Sequence, residues 1–138
     1  MAQLTTVFSL AQLNALGGVT AGSIDFGGAL PADARIINAS ARNGGTAFGS
    51  SGGTVTGLTV NVVATGQTTV LTSNINGLHA ASVRGQNGCV VSAAASQAAY
   101  PFEAGFTPAA RFSVGGSGVT LGNLTGGNDG IEVTVTYL

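Results

Sequence analysis

Gly130-Ile-Glu-Val-Thr-Val-Thr-Tyr-Leu138 is the stretch whose reading decides the fold. Ile131, Val133, Val135 and Tyr137 fall on one side of an extended backbone, and Glu132, Thr134 and Thr136 on the other. Strict period-two alternation in β-branched and aromatic residues is the pattern of a half-buried strand. Asp129-Gly130 in front of it supplies a turn. The rest of the chain is then read as the sheets that this strand completes.

Working back from it, Ala109–Val114 is a strand with Ala110, Phe112 and Val114 on one side. Gly115-Gly116-Ser117-Gly118 follows, and Val119–Leu124 reads as a short strand or a wide turn. In Thr54–Ala64 the residues Leu58, Val60 and Val62 share a face, and Gly57 suggests a bulge or a close approach. Thr65-Gly66-Gln67 then suggests a hairpin into Thr68–Thr72. Asn76-Gly77 and Asn87-Gly88 read as turns around a short strand or edge at His79–Arg84. From Gly88 to Ala93 another strand could begin. The alanine-rich continuation to Tyr100 stays open between strand and helix, because alanine favours helix. Phe102 and Phe106 fall in an irregular loop.

Further back, Ala34–Arg42 alternates as a strand, with Arg35, Ile37, Ala39 and Ala41 on one side and Ile36, Asn38, Ser40 and Arg42 on the other. Pro31 lacks an amide hydrogen and belongs before this strand rather than within it. Asn43-Gly44-Gly45 ends it with residues that tolerate positive φ. Phe48 sits alone in the glycine-serine loop Gly44–Gly53, and Ser23–Phe26 is a short run. Over residues 1–22, Leu10, Leu13 and Leu16 recur at helical spacing before Gly17-Gly18. That segment is read as a first strand or as an extended arm with apolar anchors reaching a neighbouring subunit. The arm is the reading carried forward, with residues 23–138 as one domain. Deleting the arm is then expected to leave the domain folded. The short runs are separated by Gly, Asn and Pro, and no long amphipathic helix joins them. The expected class is therefore all-β, an antiparallel β-sandwich rather than βαβ units. No fixed internal period supports a solenoid.

A chain of 138 residues suits one domain. Its charge is sparse: four Arg, no Lys and five acids, net −1, with 44% hydrophobic residues. A soluble monomer ordinarily carries more charge, so the composition points to life within an assembly, where few charges need desolvating. Four scattered Arg do not form the cationic cluster that phosphate backbones need, which argues against a nucleic-acid partner. No apolar run approaches a membrane-spanning helix. The start has no basic n-region, since the first Arg is Arg35, so a secretory signal is not expected. The single Cys89 cannot form an internal disulfide.

Candidate chemistry is thin. Gly126-Gly-Asn-Asp-Gly130 is similar to one turn of a calcium-binding nonapeptide, but such sites use adjacent copies of a repeat and here there is one. The glycine-rich segments 44–53 and 115–118 lack the lysine of a phosphate loop. His79 and Cys89 have no set of further ligands or orienting group, and read as a polar edge histidine and a small buried thiol. Asp25, Asp33, Glu103, Asp129 and Glu132 could supply a glycosidase pair only in a cleft, normally rich in aromatics, and there is no Trp. Asn38-Ala-Ser40 and Asn123-Leu-Thr125 match the glycosylation sequon as a Ser/Thr-rich chain does by chance. Arg35 and Arg111 are the residues expected to pair with Asp33, Glu103 or Glu132. No catalytic, cofactor or metal residue is nominated, and no enzyme is expected.

One resemblance adds to this. Leu30-Pro-Ala-Asp-Ala-Arg-Ile-Ile37, a glycine-rich loop, Thr54–Thr72, Ala110-Arg-Phe-Ser-Val114 and the closing Gly130–Leu138 follow one another in an order that resembles small virion structural proteins of tailed bacteriophages, of the head-decoration or cement type. The resemblance covers residues 30–72 and 108–138. It implies a jelly-roll-like sandwich, a homo-oligomer with a trimer favoured, and the major capsid protein or another virion protein as partner. It also implies location in the virion after assembly in the host cytoplasm. A neck or tail adaptor, or a bacterial adhesin-like surface module, is the alternative.

Overall fold

The structure is a computed structural model and describes residues 2–31, 34, 36–64, 72, 74–81, 83–88 and 107–137. Among the described residues the strands are β1 (Ala2–Phe8), β2 (Ala21–Asp25), β3 (Ile36–Asn43), β4 (Phe48–Ser50), β5 (Gly57–Ala64), β6 (Val83–Gly88), β7 (Pro108–Gly115), β8 (Leu124–Gly126) and β9 (Ile131–Tyr137), with one short helix α1 (Leu10–Asn14). They form three small antiparallel sheets, ordered β1-β9-β3-β6, β2-β7-β5 and β4-β8. The protein is mostly β, as the alternation predicts.

β9 is an inner strand, bonded to β1 on one side and β3 on the other. Its period-two pattern holds: Ile131, Val133 and Val135 are fully buried, and Glu132, Thr134 and Thr136 are not. Leu4 and Ala39 flank Val135 in register, and Thr6 and Ala41 flank Val133. In β3 the alternation slips. Ile36 pairs with Tyr137 but Asn38 with Thr136, so one extra residue is accommodated between them. This bulge turns Ile36 to the same buried side as Ala39 and Ala41. Strict alternation places Ile36 on the opposite side, and the bulge is the physical reason it fails.

In the second sheet Leu58, Val60 and Val62 of β5 and Ala110 and Phe112 of β7 are buried, as expected. The pairing runs unbroken from Gly57↔Gly115 to Ala64↔Pro108, so Gly57 makes no bulge. A single apolar cluster draws on both larger sheets and on Phe48, Leu121 and Leu124. Its centre is aromatic: the Phe8 ring meets Phe26 and Phe112 edge-on, each at 5.3 Å between centroids.

The extended N-terminal arm is overturned. Residues 2–8 are a full strand of the sheet, in uninterrupted register from Ala2↔Tyr137 to Phe8↔Ile131. Behind it Ser9 caps α1. Its hydroxyl accepts from Gln12 N at 3.2 Å, and Gln12 Oε1 accepts from Ser9 N at 2.9 Å. That short helix buries Leu13 completely and packs Leu10 on the core, and Leu16, in the turn just past its end, packs there too, so the leucine spacing is helical over Leu10 and Leu13. Gly17 ends it with φ 83°.

Other expectations shift. Phe48 is not a loop residue: it starts β4 and is buried in the core. Asn87-Gly88 lies within β6 rather than in a turn. Val119–Leu124 is a 3-10 turn over Leu121–Asn123 that leads into β8. The hairpin at 65–67, the run 68–71, Cys89 and the segment to Phe106 lie outside the described residues, as do Asp33, Arg35 and Glu103.

β3 ends through a side chain rather than through glycine flexibility. Asn43 is fully buried; its Nδ2 donates to the carbonyls of Thr46, Leu78 and Ala80 at 3.0, 3.2 and 3.0 Å, and its Oδ1 accepts from Gly45 N at 3.1 Å. Gly44 and Gly45 do not have positive φ. Asn43→Asp keeps the shape but turns the donor into an acceptor facing three carbonyl oxygens. The expected loss at pH 7 is about 2–4 kcal/mol by urea unfolding. Burial among acceptors would raise the new carboxyl's folded-state pKa above its unfolded value. The protonated form is then the tolerated one, so the deficit shrinks below about pH 4 and is greatest above the raised folded-state pKa. A deficit that is flat with pH would refute this account of Asn43.

Candidate functional site

The register of β1, β9 and β3 sets their outward side chains in a three-by-three grid. Gln3, Thr136 and Asn38 form one row; Thr5, Thr134 and Ser40 the next; Val7, Glu132 and Arg42 the third. The alternation that buries Val133 and Val135 places all nine on the other face. Cross-strand bonds tie the rows: the Thr5 and Thr134 hydroxyls are 2.9 Å apart, and Gln3 Nε2 donates to Thr136 Oγ1 at 3.5 Å. Arg42 holds Glu132 with two bonds, Nε to Oε1 at 3.1 Å and Nη2 to Oε2 at 3.3 Å. The grid's two charges are therefore opposite and paired with each other. What it presents is amides, hydroxyls and one exposed valine, Val7.

At the charged end the face runs into an open cleft of about 260 Å³ lined by Val7, Arg42, Gly44, Asp129, Gly130 and Glu132. Gly130 is needed there. It has φ 67°, and a Cβ on it would overlap the Phe8 carbonyl oxygen. The turn it closes, Gly130 N to Gly127 O at 2.9 Å, joins β8 to β9. That turn contains the calcium-like sequence. Among the described residues, no group of three His, Cys, Asp or Glu side chains is placed to hold a metal ion.

The structure brings Asp129 and Glu132 to the same cleft but leaves Asp25 at the end of β2, in the other large sheet. His79 is half-buried, its Nδ1 is enclosed with no hydrogen-bond partner among the described residues, and its carbonyl accepts from Phe48 N at 2.8 Å. The two glycine-rich segments pack on each other: a Cβ on Gly53 would strike the Ser117 carbonyl, and one on Gly118 the Gly52 carbonyl. Asn123 closes that junction. It accepts from Ser50 Oγ at 2.7 Å and Thr120 N at 2.9 Å and donates to Gly118 O at 2.9 Å. Its amide nitrogen is thus engaged in the fold, whereas Asn38 of the other sequon sits on the grid.

Glu132 pairs with Arg42 rather than with Arg111, and Arg35, the other expected partner, lies outside the described residues. Alternation separates Glu132 from the apolar set of β9 and Arg42 from Ala39 and Ala41, but their meeting depends on the β3–β9 register, which no single strand encodes. The pair is exposed, 47% and 34% by side chain, so water screens it. Arg42→Ala is expected to change the unfolding free energy by less than about 1 kcal/mol in a urea titration; a larger loss would mean the ion pair holds the sheet together.

No helix among the described residues is long and apolar enough to cross a membrane. No family model matches the chain, and no curated protein or solved structure matches it.

Proposed function

We propose that this chain is a non-enzymatic virion structural protein, a decoration or cement protein that binds the head shell of a tailed bacteriophage and stabilises it. In this reading the two larger sheets form a jelly-roll-like sandwich around the shared core, and the outer grid of the four-stranded sheet meets the major capsid protein. The observation that carries it is the self-neutralised grid. Nine outward side chains on three strands hold one cation and one anion, already paired with each other. Such a face loses little on leaving water, because hydroxyls and amides can exchange bonds with a partner while no lone charge is stranded. Apolar area buried around it then contributes about 25 cal/mol per Å², less the ordering cost of association.

The test is co-sedimentation with purified shells, comparing the parent chain with Thr134→Lys. Position 134 is at the grid's centre and points out of the fold, so thermal unfolding should stay close to the parent's. Shell occupancy should fall at least tenfold, since an unpaired ammonium would be trapped in the contact, about 1.4 kcal/mol or more. Equal occupancy for both would remove the grid from the interface. Absence of the parent chain from any particle would remove the virion reading. Copy number separates the shell from a neck or tail adaptor: on the order of hundreds for a shell built by repeated symmetry, at most a few dozen for a neck or tail.

A further inference from the structure

The sheet edges are not equally guarded. β5 is bordered by the returning chain: Val60 and Ile75 exchange backbone bonds at 3.0 and 2.8 Å, Leu78 N donates to Leu58 O at 3.0 Å, and Val62 N donates to Thr72 Oγ1 at 3.0 Å. β2 is five residues long and carries Gly22 and Asp25. β6 carries Arg84, Gly85 and Gly88. The two strands of the smallest sheet have three residues each. β1 differs from all of them. It runs seven residues in unbroken register with β9, and its sequence, AQLTTVF, has no charge, proline or glycine. Charges, prolines, bulges and shortness are the means by which folded proteins keep sheet edges from pairing, and β1 has none of them. Among the described residues no strand lies on its far side.

The open groups can be assigned. The Phe8 carbonyl oxygen lies against Gly130, on the β9 side. Successive residues of an antiparallel strand turn their N–H and C=O groups to opposite sides, so Gln3, Thr5 and Val7 turn theirs to the free edge. Beneath the strand the inner side is closed, with Thr6 Oγ1 donating to Phe26 O at 2.9 Å.

We propose that β1 pairs antiparallel with β1 of a second copy about a two-fold axis at Thr5, joining the two four-stranded sheets into one continuous sheet. The two Thr5 residues then exchange both backbone bonds, and Gln3 of each copy lies opposite Val7 of the other. The partner is a second copy because the strand is self-complementary about that axis. With no charge in it no like charges meet, and the exposed Val7 is covered by the stem of Gln3. The other end strands of the two larger sheets each have a charged residue in their sequence, Asp25 in β2 and Arg84 in β6, which a seam would have to accommodate. A two-fold contact is isologous and closes at two copies, so the solution species is a dimer in place of the trimer implied by the resemblance. The seam does not depend on the virion reading.

The full chain is examined by light scattering over a concentration series, beside Thr5→Lys, and by disulfide capture in a Cys89→Ser background. The parent is expected to be a dimer. Thr5→Lys sets two ammonium groups directly opposite each other and should raise the dimer dissociation constant at least tenfold, while the circular dichroism spectrum stays that of the parent. Thr5→Cys should form a disulfide dimer under mild oxidation, since directly bonded antiparallel partners have Cα atoms about 5.5 Å apart, within disulfide reach. Gln3→Cys should not cross-link to itself but should cross-link to Val7→Cys when the two are mixed, which fixes the register. A parent that stays monomeric throughout overturns the proposal. So does a parental dimer in which Thr5→Cys gives no cross-link, whatever the behaviour of Thr5→Lys.

Discussion

Removal of residues 1–22 is expected to abolish cooperative folding. The segment contains a whole strand, the completely buried Phe8 and Leu13, and the capped helix. Truncating one buried Phe or Leu to Ala costs about 3–5 or 2–5 kcal/mol, and a domain of this size has about 5–15 kcal/mol in total. The deletion goes further. It strips the edge from β9, leaves the Phe26 and Phe112 rings without the ring between them, and bares the backbone of the strand that carries Ile131, Val133 and Val135. The truncated chain should be aggregated, or should show a broad non-cooperative urea transition by far-ultraviolet circular dichroism. A sharp transition at the parental midpoint would restore the dispensable arm.

The arm is also where the sequence was hardest to read, and the reason is chemical. In β9 apolar and polar residues separate cleanly by parity. In β1 the inward set is Leu4, Thr6 and Phe8 and the outward set Gln3, Thr5 and Val7, so each side holds a threonine and a large apolar residue, and parity carries no contrast. Thr6 is tolerated inward because its hydroxyl finds the Phe26 carbonyl, a partner twenty residues away. β5 and β7 were legible because Leu58, Val60, Val62, Ala110 and Phe112 face a single core. β3 was legible up to its bulge, which leaves no trace in composition. β4 has three residues, too few for any period. Of the candidate site, the outward placement of each grid residue on β9 and β3 followed from parity. The rows did not, because they depend on register between strands remote in sequence, as the 90-residue separation of Arg42 and Glu132 shows. In the sequence Asn43, followed by two glycines, reads as a turn residue. That its amide would cross-link three stretches of backbone depends on where residues 78–80 return, which only the folded chain fixes.

Val133→Asp is expected to leave the protein unfolded at neutral pH, and a graded series shows why. Val133 is completely buried at the middle of β9, with Thr6 and Ala41 beside it in the adjacent strands. Val133→Thr is nearly isosteric and changes one methyl for a hydroxyl. Its expected cost, about 1–3 kcal/mol, is that of a buried polar group without a ready acceptor. Val133→Asp adds a charge where no cation is at hand: among the described residues the nearest placed ion pair, Arg42–Glu132, lies on the opposite face of the same sheet. The carboxyl must either be buried ionised or hold its proton against neutral solvent, and either course adds several kcal/mol to the lost packing. Together these approach the whole stability of the domain. One position along, Thr134→Val alters a side chain of the outer grid and should move the urea midpoint by no more than about 0.5 kcal/mol equivalent. The contrast between neighbours is the informative quantity, because a strand has period two and a shift of one residue exchanges core for surface. Soluble, cooperatively folded Val133→Asp protein, or equal sensitivity at 133 and 134, would mean that β9 does not present this face to the core, and the grid of Thr5, Thr134 and Ser40 would fall with it.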